Sequence, residues 1–541
     1  MSSSQAETFM NGFPKHFERL PKIDLPAYTE TKIEDIFDIH EKLATSWKSG
    51  KTRPLEYRKE QMAALYNGII EDAPLIVEAL ARDFKSVFEA ALEVQLVLHE
   101  LKDFLENFEA WLAPVSVARP ISIIMDSAKI VYEPFGVILG ISPWNFPFSL
   151  AMIPAIGAIA SGNCFVFKPS EMSPNTSAII SLLVSKYLDP DCFSVINGDK
   201  EVTTKALELK WDFISYTGSS SVGRVVLAAA AKHLTPTLLE LGGKSPAYID
   251  DETCDLRIAA RRIVWAKFFN AGQICITVDY IICRPSVREK LEKILQEEII
   301  GFYTNETEDN PDWPLIVNER HAQRIVSNIP TENSPAGSGR VVYGGKYDVS
   351  KRYIGPTIVT EVDPHNAPLM QSEIFGPILP IVTMENEDEA IEYITSKDKP
   401  LAFYVFSDNS KLIEKMTTQI SSGGVCINDT LMHHNLNTLP FGGVGESGMG
   451  SCHGRHSIEQ FSHKKSIYQA NNYRQMENVM KVRYPGSKLH EALPILFPHN
   501  LYSYLPESGF ATRTYNSALS TMRLTSSVVS FLYGDSKGPD E

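Results

Sequence analysis

Positive charge is what this chain is shortest of. Lys and Arg number 51 against 66 Asp and Glu, a formal charge of −15 over 541 residues. A nucleic-acid-binding surface needs a basic footprint, so nucleic acid is not expected as a partner. Cysteine is sparse as well: seven residues, an odd number, widely spaced and without a Cys-x-x-Cys pair. That excludes a disulfide-stapled scaffold and points to a reducing, cytoplasmic setting in which at least one thiol stays free. Long apolar runs are missing too. Residues Phe135 to Phe167 carry no charged side chain, but Pro143, Pro147 and Pro154 and several glycines interrupt them. A spanning helix needs ~20 continuous apolar residues, so this stretch reads as buried strand, turn, helix and strand. Met1 to Glu30 lacks a basic flank followed by an apolar core, and no secretory leader is expected there.

What remains is a chain that is 43% apolar and 22% charged, the balance of a soluble globular protein. At ~150 residues per domain it should hold three or four domain-equivalents. Apolar residues at Val94, Leu98, Leu101, Leu105, Phe108 and Leu112 recur at helical steps. After Pro120, the β-branched stretch Ile121–Tyr132 predicts a strand or hairpin. Strand-like and helix-like segments then alternate. Gly136–Ser142, Cys164–Lys168, Cys192–Asn197, Phe213–Thr217 and Ser245–Ile249 read as strands. Leu150–Ala160, Ser173–Tyr187 and Val222–His233 read as the helices between them. Such alternation implies βαβ units and a mostly parallel sheet. A second α/β region follows from Leu256, with strands at Tyr280–Arg284, Ile378–Val382 and Phe403–Phe406. Past Pro485 charge is sparse and prolines recur. The last apolar segment, Tyr515–Tyr533, carries Arg523 near its middle and is too polar to span a bilayer.

Several motifs could carry chemistry, and each has a plainer reading. Cys275, in Phe268-Phe-Asn-Ala-Gly-Gln-Ile-Cys275, is either a nucleophile on a tight turn or a buried structural thiol. Glu240, among apolar residues and followed by Gly242-Gly243, is either a desolvated general base or a helix-end carboxylate facing water. Thr217-Gly218-Ser219-Ser220-Ser221-Val222-Gly223 joins a strand to a helix and is either a phosphate-binding turn or an ordinary βα loop. Lys168 and Glu171 end another strand, as ribose contacts or as a surface ion pair. Asn145, in Pro143-Trp144-Asn145-Phe146-Pro147, could hold an oxyanion or simply a turn. Glu373 and Phe375 are either site residues or an exposed carboxylate beside a core ring. Pro440–Gly450 is so rich in glycine that backbones must pack closely there. Cys452, His453 and His456 supply three potential metal ligands but no fourth, so no metal site is expected.

In this order, from Asp83 to Ser466, these motifs resemble the aldehyde dehydrogenase superfamily. Three stretches are similar to its class 3, or fatty aldehyde, branch: Ala229–Pro236; Ser421–Val425 with Asn428-Asp429; and Ser447–Gly450 running on to His453–Ser457 and Phe461–His463. The resemblance implies an α/β fold with a Rossmann-type cofactor domain (1–116 and 134–241), an α/β catalytic domain (242–440) and a small β oligomerisation arm (117–133 and 441–484). A separate tail would cover 485–541. It implies oxidation of an aldehyde through a thiohemiacetal and a thioester on Cys275, with Asn145 holding the oxygen and Glu240 activating water. Glu373 matches a ribose contact and is a second candidate base. The nicotinamide cofactor would lie against Trp144, Lys168, Glu171, Gly218 to Gly223, Leu241, Gly242, Glu373 and Phe375. Glu171 favours NAD, because it would repel the extra phosphate of NADP, the alternative.

The expected substrate is a long apolar aldehyde, saturated or polyene, with medium-chain or aromatic aldehydes as the alternative. A homodimer is expected. The tail would gate an apolar funnel and touch a membrane from the cytosolic side. Two competing readings are a cofactor-free thiol hydrolase of esters, which leaves Lys168 and Glu171 unexplained, and a catalytically silent structural protein, which should have lost a chemical residue.

Overall fold

The computed structural model describes residues 23–119, 126–304 and 307–472. Residues Ile121–Met125 of the expected hairpin and the whole tail from 485 lie outside the described residues. The described residues fall into two compact units, one within 1–113 and 132–463 and the other within 114–131 and 464–541.

The larger unit is built on two sheets. The first has six strands in the order β17 (Gly448–Met449), β7 (Thr237–Glu240), β6 (Phe213–Thr217), β3 (Val137–Ile141), β4 (Cys164–Lys168) and β5 (Phe193–Val195). All its pairings are parallel except that of β17 with β7. The registers place Ile141 beside Lys168 and Thr217 beside Glu240, so the carboxyl ends of the strands line up along one edge. β4 is buried along its whole length, as a strand covered on both faces must be. Full burial of a side chain such as Phe165 or Phe167 contributes about 1.5–3 kcal/mol. The helix Ser149–Ser161 beside this sheet is buried almost throughout. Its first N–H groups, of Phe148 and Ser149, donate to Glu93 Oε1 at 2.9 Å each. This buried carboxylate from the helix Val87–Leu112 does the work of a cap.

The second sheet has seven strands in the order β10 (Arg340–Tyr343), β13 (Thr357–Thr360), β14 (Ile378–Thr383), β9 (Tyr280–Cys283), β8 (Pro246–Ile249), β15 (Ala402–Phe406) and β16 (Gly424–Ile427). Only β10 pairs antiparallel. The short strands β11 (Tyr347–Asp348) and β12 (Tyr353–Ile354) pair separately. β1 (Val115–Ser116) pairs antiparallel with β2 (Ser127–Pro134), and β18 (Ser462–Gln469) completes a three-stranded sheet. Asp126 accepts hydrogen bonds there from Tyr468 and Asn471.

Three local readings change. Thr237–Glu240 is a strand and not a helix end, because both its edges are paired, to β6 and to β17. Gly424–Ile427 is a strand the pattern did not reveal. Residues 441–463 belong to the larger unit, since Gly448 pairs with Glu240 there. Among the described residues no helix is long and apolar enough to cross a membrane, and no cluster could hold a metal ion.

Candidate active site

Loops at the ends of β3, β6 and β7 meet the turn before β9 and the segment before β14 around one cavity of about 240 Å³. β3 delivers Trp144 and Asn145, β6 delivers Gly218 and Ser219, and β7 delivers Glu240, Leu241 and Gly242. Cys275, Glu373 and Phe375 close it from the other sheet. The carboxyl edge of a parallel sheet is where an α/β fold places its ligands.

The turn that presents Cys275 is forced. Asn270, Ala271 and Gly272 have φ of 55°, 50° and 72°, three successive residues in the left-handed region. Such backbone persists only where surroundings over-determine it. A Cβ on Gly272 would lie 2.4 Å from the Gly376 carbonyl oxygen, so only glycine fits. The Asn270 amide donates to the carbonyls of Asn145 and Gln273 at 3.0 and 3.1 Å. Its backbone N–H donates to Glu89 at 2.7 Å, and Lys85 donates to its side-chain oxygen at 3.0 Å. The Asn145 amide donates to the Gln273 carbonyl at 3.0 Å, which holds it beside the cysteine turn.

Burial dominates the electrostatics. Cys275 is partly exposed, but desolvation, then Glu373 and Glu240, push its thiol well above its ordinary range, against the N–H groups of Cys275 and Ile276. The thiol is therefore neutral in this arrangement. Its proton must leave during attack. Two carboxylates share the cavity. Burial raises Glu240, and Cys452, His453 and Thr217 pull it back. Burial raises Glu373 to about 8, with Asp279 adding to the effect. Glu373 Oε1 is buried without a hydrogen-bond partner. A Cβ on Gly242 would lie 2.3 Å from Glu373 Oε2, so that glycine makes the carboxylate's place.

The remaining sequence candidates stand outside the cavity lining. Lys168 is buried at the end of β4, donates to the Pro169 carbonyl at 3.0 Å and lies 3.8 Å from Glu171. Ser220, Ser221, Val222 and Gly223 open the helix Ser220–Ala231, where Ser219 accepts from the Val222 N–H, and Ser220 donates to the Glu446 carbonyl. His321 and Arg324, on the helix Glu319–Val326, line the cavity and were not foreseen. The Trp144 ring meets the rings of His321 and Phe375 edge-on, at 5.1 and 5.4 Å. Burial lowers His321 to about 4, so it is neutral near pH 7. Only its helical spacing from Arg324 was visible in the sequence, and spacing alone does not mark a ligand site.

Known proteins match this arrangement. The family model described as "Aldehyde dehydrogenase family" covers residues 5–467. Aldehyde dehydrogenase family 3 member A2 of Pongo abelii is 46% identical over 439 residues, 81% of this chain and 88% of the relative. The Mus musculus protein named "Aldehyde dehydrogenase, dimeric NADP-preferring" is 44% identical over 460 residues, covering 84% and 98%. The substrate-bound state of Staphylococcus aureus AldH superposes with a TM-score of 0.78 at 37% identity, covering 82% of this chain and 95% of that one. With the fold, the cysteine turn and the matched length in agreement, the chain belongs to the aldehyde dehydrogenase family and is an oxidoreductase that oxidises aldehydes.

Proposed function

We propose that this enzyme oxidises long apolar aldehydes to carboxylic acids, with Cys275 as nucleophile, Asn145 as oxyanion donor, Glu240 as hydrolytic base and NAD(P) as cofactor. The observation that carries the reading is that these three side chains and Glu373 meet in one cavity. Cys275 Sγ adds to the aldehyde carbon and its proton passes to a cavity carboxylate. The ionised form of Glu373, whose carboxyl is raised to about 8, is suited to accept it. The Asn145 amide and the Cys275 N–H then face the new oxyanion. A bound nicotinamide would supply the hydride acceptor needed to oxidise the Cys275 adduct to a thioester. Glu240 takes a proton from water as the water attacks that thioester, the C–S bond breaks, and the free acid leaves while Cys275 regains its proton.

The cofactor fits the residues present. The unpartnered Glu373 Oε1 suits a ribose hydroxyl, Gly242 opens room beside it, and Trp144 and Phe375 offer apolar edges. Lys168 and Glu171 would hold the second ribose, and Gly218 to Gly223 the pyrophosphate. Glu171 favours NAD. The mouse relative is named NADP-preferring, which keeps NADP as the alternative.

An apolar substrate is supported beside the nucleophile. Tyr404 donates to the carbonyl of Ile276, next to Cys275, and its ring meets that of His433 at 5.9 Å. That same loop exposes Met432, Leu436 and Leu439 to solvent. The rings of Phe146 and Phe269 stack at 6.3 Å, one residue from Asn145 and one from Asn270.

We place the cofactor domain on the six-stranded sheet and the catalytic domain on the seven-stranded one. A homodimer joined through the small three-stranded sheet is the proposed assembly, supported by the word dimeric in the mouse relative's name. The proposed setting is the cytoplasm, with residues 485–541 as gate and membrane contact. The test of the central reading is NADH formation from hexadecanal. It should vanish in Cys275→Ala, and full activity in that variant would refute the mechanism.

A further inference from the structure

A second cysteine grips the base. Cys452 Sγ donates to Glu240 Oε1 at 2.7 Å, while Thr217 Oγ1 donates to Oε2 at 3.3 Å. All three residues are buried. Both carboxylate oxygens are thus engaged by side chains other than Cys275, which lines the same cavity. Cys452 is itself anchored, because its backbone exchanges two hydrogen bonds with Phe441, at 3.1 and 2.8 Å. Its neighbour His453 sits at φ 80°, with its ring nitrogens 3.4 Å from Glu100 and 3.3 Å from His434. The thiol thus reaches the carboxylate from an anchored backbone, and Glu240 itself is held in a strand paired on both edges.

We propose that Cys452 is a positioning residue for hydrolysis: its thiol sets where Glu240 rests and in what range Glu240 is ionised, and so governs how fast acyl-Cys275 is released. This rests on the reading of Glu240 as the base. A hydrogen bond to a carboxylate favours its charged form, and the Cys452 bond is the first of the contacts that lower Glu240 against its burial. The thiol remains a donor throughout, because burial and the carboxylates of Glu240 and Glu100 push it well above its ordinary value. The other groups around Glu240 are His453 beside Cys452, Cys275 across the cavity, Thr217 from β6, and Glu373, which lines the same cavity. Strand β17 brings only Gly448 and Met449.

The experiment acylates Cys275 with 4-nitrophenyl acetate, removes excess reagent and follows loss of the acyl adduct by intact-protein mass between pH 5 and 9. No cofactor is needed. The wild type should show an acid limb, and in Cys452→Ala that limb should move up by about one pH unit, a loss of about tenfold on the acid side. Cys452→Ser keeps a donor of similar size and should bring the limb back toward the wild-type position. Should Cys452→Ala not fold, Cys452→Val removes the donor at similar volume. A limb unchanged in the donor-free variant overturns the proposal, and so does an equal shift in Cys452→Ser, which would make the effect one of packing. Glu240→Gln separates the two levels. Its adduct should persist at every pH, whereas wild-type hydrolysis in Glu240→Gln would overturn the reading of the base itself.

Discussion

The buried ammonium of Lys85 donates to the side-chain oxygen of Asn270 at 3.0 Å, and through Asn270 it reaches the carbonyl of Asn145. Lys85 also lies 3.3 Å from Glu93, the carboxylate that caps the helix following Asn145. Replacing Lys85 with Met keeps the stem and removes the charge. Glu89 and Glu93 then stay buried without their cation, and breaking a buried pair in this way costs about 3–5 kcal/mol. Urea denaturation should show that loss, and kcat should fall with it because Asn270 no longer orients Asn145.

Asn145→Ala should lower kcat for aldehyde oxidation about 10²- to 10³-fold, the usual effect of removing one oxyanion donor. KM should change far less. A steady-state comparison on hexanal checks this. A variant with unchanged kcat would leave the backbone N–H of Cys275 as the sole donor.

Glu373 makes stability depend on pH. Its carboxyl is raised from 4.5 to about 8 by burial. The folded form therefore holds a proton that the unfolded chain releases. This contribution is fully present below about pH 4.5 and is lost as pH rises through about 8. Urea midpoints of the cofactor-free protein at pH 5 and pH 9 should move in favour of Glu373→Gln, relative to wild type, at the higher pH.

Glu171 stands two-fifths exposed beside the buried Lys168. Removing its charge should relieve repulsion of a ribose phosphate. Glu171→Gln is expected to raise the ratio of kcat/KM for NADP over NAD about tenfold. An unchanged ratio would place the second ribose elsewhere.

The exposed Met432 and Leu436 offer a direct test of substrate class. Changing both to Glu should reduce kcat/KM for hexadecanal about tenfold more than for hexanal, since each buried methylene contributes about 0.8 kcal/mol. Equal losses on both substrates would argue for a short or aromatic aldehyde.

Much of this was legible along the chain. β4 stood out because a parallel strand covered on both faces is a near-continuous apolar run. The helix through Val94 and Leu112 followed from its spacing, and the site motifs around Asn145, Glu240 and Cys275 from their unusual glycines and polar residues. What stayed hidden depends on distance. Lys85 and Asn270 are 185 residues apart, and nothing local marks a lysine that ends up with its side chain fully buried. His321 and Arg324 enter the cavity only because their helix packs there. Thr237–Glu240 is four residues long, too short for periodicity, and its identity as a strand comes from pairing with β6 and β17. The link from Cys452 to Glu240 spans 212 residues and joins two motifs that separately suggested other things.

That two-residue antiparallel strand β17 has one more effect. It lies against the outermost parallel strand, β7, and takes up backbone groups that would otherwise face outward as a template for another chain. A fragment ending before Gly448 would bare that ladder next to Glu240 and should self-associate during expression. The glycine-dense segment thus covers a strand edge as well as shaping the site.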